Sequence, residues 1–265
     1  MSYKYINALV EESTIITDEG RKIKIFKLNT HPASAVIDEW ANKFRQNYCV
    51  DSEIDYFRGG YGYSRQEYLE KIKFPNKDEG FGPGTRSGDF AELLVADYLQ
   101  FVRNYYVPRT RYDRKVNPDS STQGSDVMAF KIGEKASADD ELVIYEVKCQ
   151  ASETNPQNKI QEAVDHSAKD VKRDAFSLNG IVQRLYDRRK FSDAEKVKRF
   201  QNPTDNPYKE LFGAVAVHSD RSYSEEILKK VITKNHESPH LTLLAVHGEY
   251  LMEFIHELYR RAAQC

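Results

Sequence analysis

The sequence predicts an α/β protein. Three observations carry that reading: continuous apolar runs such as LFGAVAVH (211–218) and LTLLAV (241–246), the charged/apolar alternation of KIKIFKL (22–28), and segments of helical period lying between them. A short run that is apolar throughout suits a strand covered on both faces, whereas alternation suits a strand with one wet face.

Taken in order, SAVIDEWANKFRQNY (34–48) repeats apolar residues at helical spacing, so the first part of the chain mixes α and β. The stretch PNKDEGFGPGTRSGD (75–89), rich in Gly, Pro and charge, reads as a flexible loop and sets the expected division into an N-terminal α+β extension, 1–80, and a second domain, 81–265. Its glycines Gly80, Gly82, Gly84 and Gly88 are not a phosphate-cradling loop, because no Gly-Lys-Ser/Thr follows and no apolar strand directly precedes them. From Asp89, FAELLVADYLQFV places Phe90, Leu93, Leu94, Phe101 and Val102 on one face of a helix ending near Tyr106. YVPRTRY (106–112) is expected as a strand, and after the turn-rich VNPDSSTQG come the strands VMAFKI and ELVIYEVKC. PQNKIQEAVDHSAKDVKRDAF (156–176) reads as one helix and YSEEILKKVITK (223–234) as another. EYLMEFIHELYRRAA closes the chain as an amphipathic helix whose Met252, Phe254 and Tyr259 belong to the core.

Composition bounds the function. With 265 residues, 40% hydrophobic and 30% charged, the chain suits one large domain or a core with an extension, folded rather than disordered. No stretch reaches the roughly 20 apolar residues of a membrane span, and MSYKYINALVEES lacks a basic segment leading an apolar core. Cys49, Cys149 and Cys265 are odd in number and far apart, with no CxxC, which argues against a disulfide framework and a zinc site. The expected setting is a reducing cytoplasm, with no membrane partner. The net charge of −2 hides a local excess: residues 159–200 hold 11 Lys or Arg against 7 Asp or Glu. Within it, Arg188, Arg189 and Lys190 suit a DNA backbone or a docking partner, and a solvated helical face explains the same charges.

The chemistry lies in GSDVMAFKIGEKASADDELVIYEVKCQ (124–150). The turn GEKASADD pairs its flanking strands so that Asp126 faces Glu146 or Val147, with cross-strand Cα atoms about 4.5–5.5 Å apart. Strand alternation puts Glu146 and Lys148 on one face and Tyr145, Val147 and Cys149 on the other. Two close carboxylates repel unless a cation lies between them, so Asp126 and Glu146 predict a divalent metal. All-oxygen ligands, with the Val147 carbonyl added, favour Mg²⁺, with Mn²⁺ as the alternative. Lys148 beside it can orient a water and offset phosphate charge, as phosphodiester hydrolysis requires. The plain alternative is a solvated Glu–Lys pair, which fits poorly in so apolar a strand as VIYEVKC.

An acid on a helix (Glu92), the G-S-D strand end (Asp126) and E-V-K (Glu146, Val147, Lys148) followed by a helix resemble the PD-(D/E)xK nuclease superfamily, with Ser125 standing where that motif has Pro. The resemblance implies a restriction-endonuclease-like core, a mixed central sheet flanked by helices, over the second domain. Through GDFAELLVADYL, QGSDVMAF and YEVKCQAS the chain is also similar to HamA, the nuclease subunit family of Hachiman anti-phage defence systems. That similarity implies a DNase acting on DNA beside a superfamily 2 helicase partner, HamB, which restrains it until DNA damage or phage replication. It also makes Glu92 a candidate catalytic and metal-binding residue, although Asp89-x-x-Glu92 before an apolar run equally suits a helix capping box. Gln150 lies on the Lys148 face as a strand-end hydrogen bonder or a phosphate ligand, and His166 and Lys169, with Gln161 and Asp165, sit on the helix expected to cover the acids. Two other functions fit the same residues: a sequence- or structure-specific endonuclease of restriction or resolvase type, and a degenerate DNA-binding or helicase-regulating subunit.

Overall fold

The computed structural model describes residues 3–170 and 174–265. Among them a six-stranded mixed sheet runs in the order β1-β2-β6-β5-β4-β3. β1 (Leu9–Ile16) and β2 (Lys22–Leu28) form an antiparallel hairpin. β4 (Glu141–Gln150), β5 (Lys209–Ser219), β6 (Leu241–Gly248) and β2 then run parallel, and β3 (Val127–Lys131) closes the far edge antiparallel to β4. The α/β architecture is the expected one. The sheet and the main apolar core continue across residue 80, because β2 bonds directly to β6 and Trp40 and Phe44 pack with Phe90 and Phe254.

Strand alternation divides the sheet into two packed faces. On the first, α1 (Ser34–Gln46), α4 (Gly82–Asp97) and α9 (Leu251–Gln264) cover Val143, Tyr145, Val147, Val215 and Val217. On the second, α5 (Lys159–Asp170) and α8 (Glu225–Lys229) pack on Ala214, Ala216, Leu243 and Ala245, three of them small side chains that let α5 approach closely. Beside them, α6 (Asp174–Asp187) and α7 (Phe191–Lys198) cover Met128, Phe130, Leu142 and Ile144. Two short helices, α2 (Asp51–Gly59) and α3 (Arg65–Tyr68), complete the first layer. No helix among the described residues is long and apolar enough to cross a membrane.

Four expectations need correction. The Gly/Pro-rich stretch is not loop to residue 89: α4 begins at Gly82, with Pro83 in its first turn, where a missing N–H costs nothing. Gly82 is required there, since a Cβ would lie 2.3 Å from the Asn76 carbonyl oxygen. Residues 106–112 are no strand: Tyr106 makes a single bridge to Phe130, Pro108 has no N–H to donate, and Arg109 is left-handed at φ 52°. The helix expected over 156–176 starts only at Lys159; its residues are helical over Lys159–Asp170 and again from Asp174, and residues 171–173 of that expectation lie outside the described residues. Of 223–234, only Glu225–Lys229 is helical.

Candidate active site at the sheet edge

The β3–β4 register pairs Val127 with Tyr145 and Lys131 with Glu141, so one further step sets Asp126 opposite Glu146. Asp126 Oδ2 accepts the Val147 N–H at 2.9 Å, which holds the carboxylate across the mouth of the hairpin. In an antiparallel ladder a residue's N–H and C=O project to the same side, so the Val147 carbonyl faces the Asp126 edge as well. Glu146 and Lys148 lie on the second face, beneath α5. Glu146 is buried, accepts a bond from Lys148 Nζ on Oε1, and has His166 Nδ1 3.4 Å from that oxygen. Burial alone would lower the Lys148 ammonium, yet Glu146, Asp126 and Glu92 raise it above its ordinary value. His166 is lowered by burial and by Lys148 and Lys169.

Glu92 reaches this edge from α4 on the opposite face. It lies inside the helix rather than at its start, so Asp89 does not cap α4; Asp89 instead accepts Tyr48 Oη at 2.8 Å and Lys115 Nζ at 2.7 Å. Glu92 and Asp126 meet on one cation. Arg111 places Nε 3.1 Å from Glu92 Oε2 and an Nη 3.3 Å from Asp126 Oδ1, while Tyr112 donates its hydroxyl to Glu92. Burial pushes the Glu92 carboxyl up to about 8, with Arg111 opposing and Asp126 and Asp89 adding to the rise. Burial would lower Arg111, but Glu92, Tyr112 and Asp126 raise it, so the guanidinium stays charged.

Arg111, Tyr112 and Lys115 are functional neighbours that sequence reasoning missed. The signal was the basic spacing of RTRYDRK: Arg109, Arg111 and Lys115 each pair with an acid of α4, respectively Asp97, Glu92 and Asp89. These pairs strap residues 107–116 along the helix and bring the middle cation to the acids. Among the described residues no three His, Cys, Asp or Glu side chains are gathered into a metal-binding group. The reason is visible: Glu92 and Asp126 are drawn onto Arg111, and Glu146 is drawn toward Lys148.

The remaining candidates separate. Gln150 is consumed by the loop after β4, donating to Thr154 Oγ1 at 3.1 Å and the Asn155 carbonyl at 2.9 Å and accepting the Gln157 N–H at 3.0 Å. Gln161 bonds Asp165 and the backbone of Ile232, away from the acids. Arg188 is tied to Asp113 and the Arg109 carbonyl, whereas Arg189 and Lys190 are exposed.

A cleft of about 1080 Å³ opens from Glu92 and Asp126 between the strap and α6. The protein is thus of the mixed-sheet α/β class, with the Glu146–Lys148 pair at the mouth of an edge hairpin and a basic cleft that reaches Glu92 and Asp126. The HamA family model matches residues 4–262, and the chain belongs to that family of Hachiman defence-associated proteins. Comparison with curated proteins gives no match.

Proposed function

We propose that the chain is a metal-dependent deoxyribonuclease, the nuclease effector of a Hachiman defence system working with the helicase HamB. The observation that carries this reading is the Asp126 carboxylate held by the Val147 amide directly opposite the Glu146–Lys148 pair, at a cleft large enough for a nucleotide strand. The donor set is all oxygen, from Glu92, Asp126, Glu146 and the Val147 carbonyl, which suits Mg²⁺ or Mn²⁺ in kind. Arg111 already bridges two of these acids, so the site is built around a positive charge. When bound, such an ion supplies Lewis-acid polarisation of a phosphoryl oxygen.

The chain's own residues supply orientation and charge. The Val147 N–H fixes one Asp126 oxygen and leaves the other to turn toward the cleft. Lys148, kept protonated by the surrounding carboxylates, donates hydrogen bonds that orient the attacking water and offset charge on the phosphate. His166, lowered toward its neutral form, stands beside Glu146 as a hydrogen-bonding neighbour. Arg111 must release Glu92 and Asp126 for those acids to serve an ion, and its guanidinium then suits a phosphate in bidentate fashion.

The test is plasmid cleavage in Mg²⁺ by the wild type and by Glu146→Ala and Lys148→Ala, each with the helicase partner present. Wild-type cleavage reduced by at least about 100-fold in both variants is expected for loss of a charge-stabilising group. Equal cleavage by all three would refute the reading.

A further inference from the structure

Phe176 is 80% exposed, an unusual setting for an aromatic side chain beside a cleft that leads to buried acids. It stands on α6, whose apolar side is already satisfied: Leu178 and Leu185 are buried against Met128, Phe130 and Ile144. Phe176, Gly180 and Arg184 recur every four residues and so form a separate stripe, and all three line the cleft. The other basic side chains on the cleft wall are engaged, Arg109 by Asp97, Arg111 by Glu92 and Asp126, Arg114 by Glu53 and Lys115 by Asp89. Arg184 has no acidic partner among the described residues. One aromatic face and one available guanidinium therefore share a wall, with Gly180 leaving open space between them.

The stripe is held at a set position relative to the acids. Ser177 Oγ accepts the Ser125 N–H at 3.1 Å, and Ser125 immediately precedes Asp126. Gly124 makes this contact close: it has φ +91°, and a Cβ there would lie 2.9 Å from Ser177 Oγ. Phe176 adjoins the tied serine, so its ring is linked to the Asp126 carboxylate through a single hydrogen bond and a turn of chain.

We infer that this wall is a binding site for single-stranded DNA, with Phe176 as a stacking shelf for an unpaired base and Arg184 as a phosphate contact; the identity of the ligand as DNA rests on the nuclease reading. The chemistry favours a single strand because every base in a duplex interior already stacks on its neighbours, so a lone protein ring can take only an unpaired or extruded base. Arg supplies a planar fork for phosphate at a distance along the same helix. A duplex read through its backbone would need cations and no exposed ring. The substrate presented to Asp126, Glu146 and Lys148 is then an unwound strand or a frayed end.

The experiment measures binding by fluorescence anisotropy in EDTA, with the full chain and labelled oligodeoxynucleotides, single-stranded and as the matched duplex. Phe176→Ala is expected to weaken single-strand binding by about 5- to 100-fold, the range for loss of one base–aromatic stack, while Phe176→Trp retains it and duplex binding does not move. Arg184→Ala is expected to weaken the single strand and to reduce the slope of log affinity against log salt by about 0.7. Because Phe176 is largely in solvent, the variants should melt with the wild type, and a melting curve checks that. Unchanged single-strand affinity in Phe176→Ala, an equal loss for single strand and duplex, or no single-strand binding at all would each overturn the inference. Failure of the nuclease reading is a separate result: it would appear as Mg²⁺-supported cleavage indifferent to Glu146 and Lys148, while metal-free binding through Phe176 stood.

Discussion

Glu92→Gln keeps the size of a buried side chain and an acceptor for the Tyr112 hydroxyl while removing an ionisable group. In the wild type, burial raises this carboxyl from its ordinary 4.5 to about 8. Between those values the folded chain holds a proton that the unfolded chain has released, so stability falls as pH rises through the window. At 1.36 kcal/mol per pH unit the full displacement is about 5 kcal/mol, and the 14% exposure of the side chain brings the expected span to about 3–5 kcal/mol. Trp40, the single tryptophan and a buried one, reports unfolding directly. Urea denaturation in EDTA at pH 5, 6, 7 and 8 should show the wild type losing that much stability relative to Glu92→Gln. Other titrating groups are common to both proteins and cancel in the difference. Parallel curves for the two would refute the claim that burial, rather than Arg111, governs Glu92.

Other outcomes follow from the same geometry. Arg111→Met leaves the Asp126 carboxylate without its cation beside Glu92 and should cost about 3–5 kcal/mol in EDTA; under the metal-binding reading Mg²⁺ should raise the variant's melting temperature more than the wild type's, as a thermal shift assay would show. Lys115→Met leaves Asp89 buried without its cation and should destabilise by a similar 3–5 kcal/mol in urea denaturation. His218, buried beside His247, is lowered from 6.5 to about 4, so its contribution is complete above pH 6.5 and lost as pH falls toward 4. That is about 3 kcal/mol, and His218→Phe should flatten the acid limb of the stability curve by this amount. Gly213→Ala drives a Cβ to 2.3 Å from the Tyr145 ring and should cost about 1–3 kcal/mol in the same assay.

The hairpin was legible from the chain because two strands joined by one local loop, residues 132–140, are decided by neighbours in sequence. Alternation chooses the face, turn length chooses the register, and together they set Asp126 opposite Glu146 with Lys148 on the same side. The inner strands were equally plain, since only a doubly covered strand is written as LFGAVAVH. Little of the Arg111 strap could be read this way. Arg111 and Glu92 are separated by the remaining helix, which continues to Val102, and a loop, and a basic residue in a polar loop looks the same whether it is solvated or buried against an acid. The start of α4 was obscured for a related reason: glycine and proline argue for loop locally, but Gly82 serves a close approach to Asn76 that exists only in the folded chain. Likewise, β1 and β2 read as part of an extension, and only pairing with β6, more than 200 residues away, made them part of the central sheet. Local pattern therefore decided which strands form and which residues stand across from one another in the hairpin. Long-range packing decided which cation they meet and which cleft they face, because charge and shape at that distance depend on partners that sequence spacing does not encode.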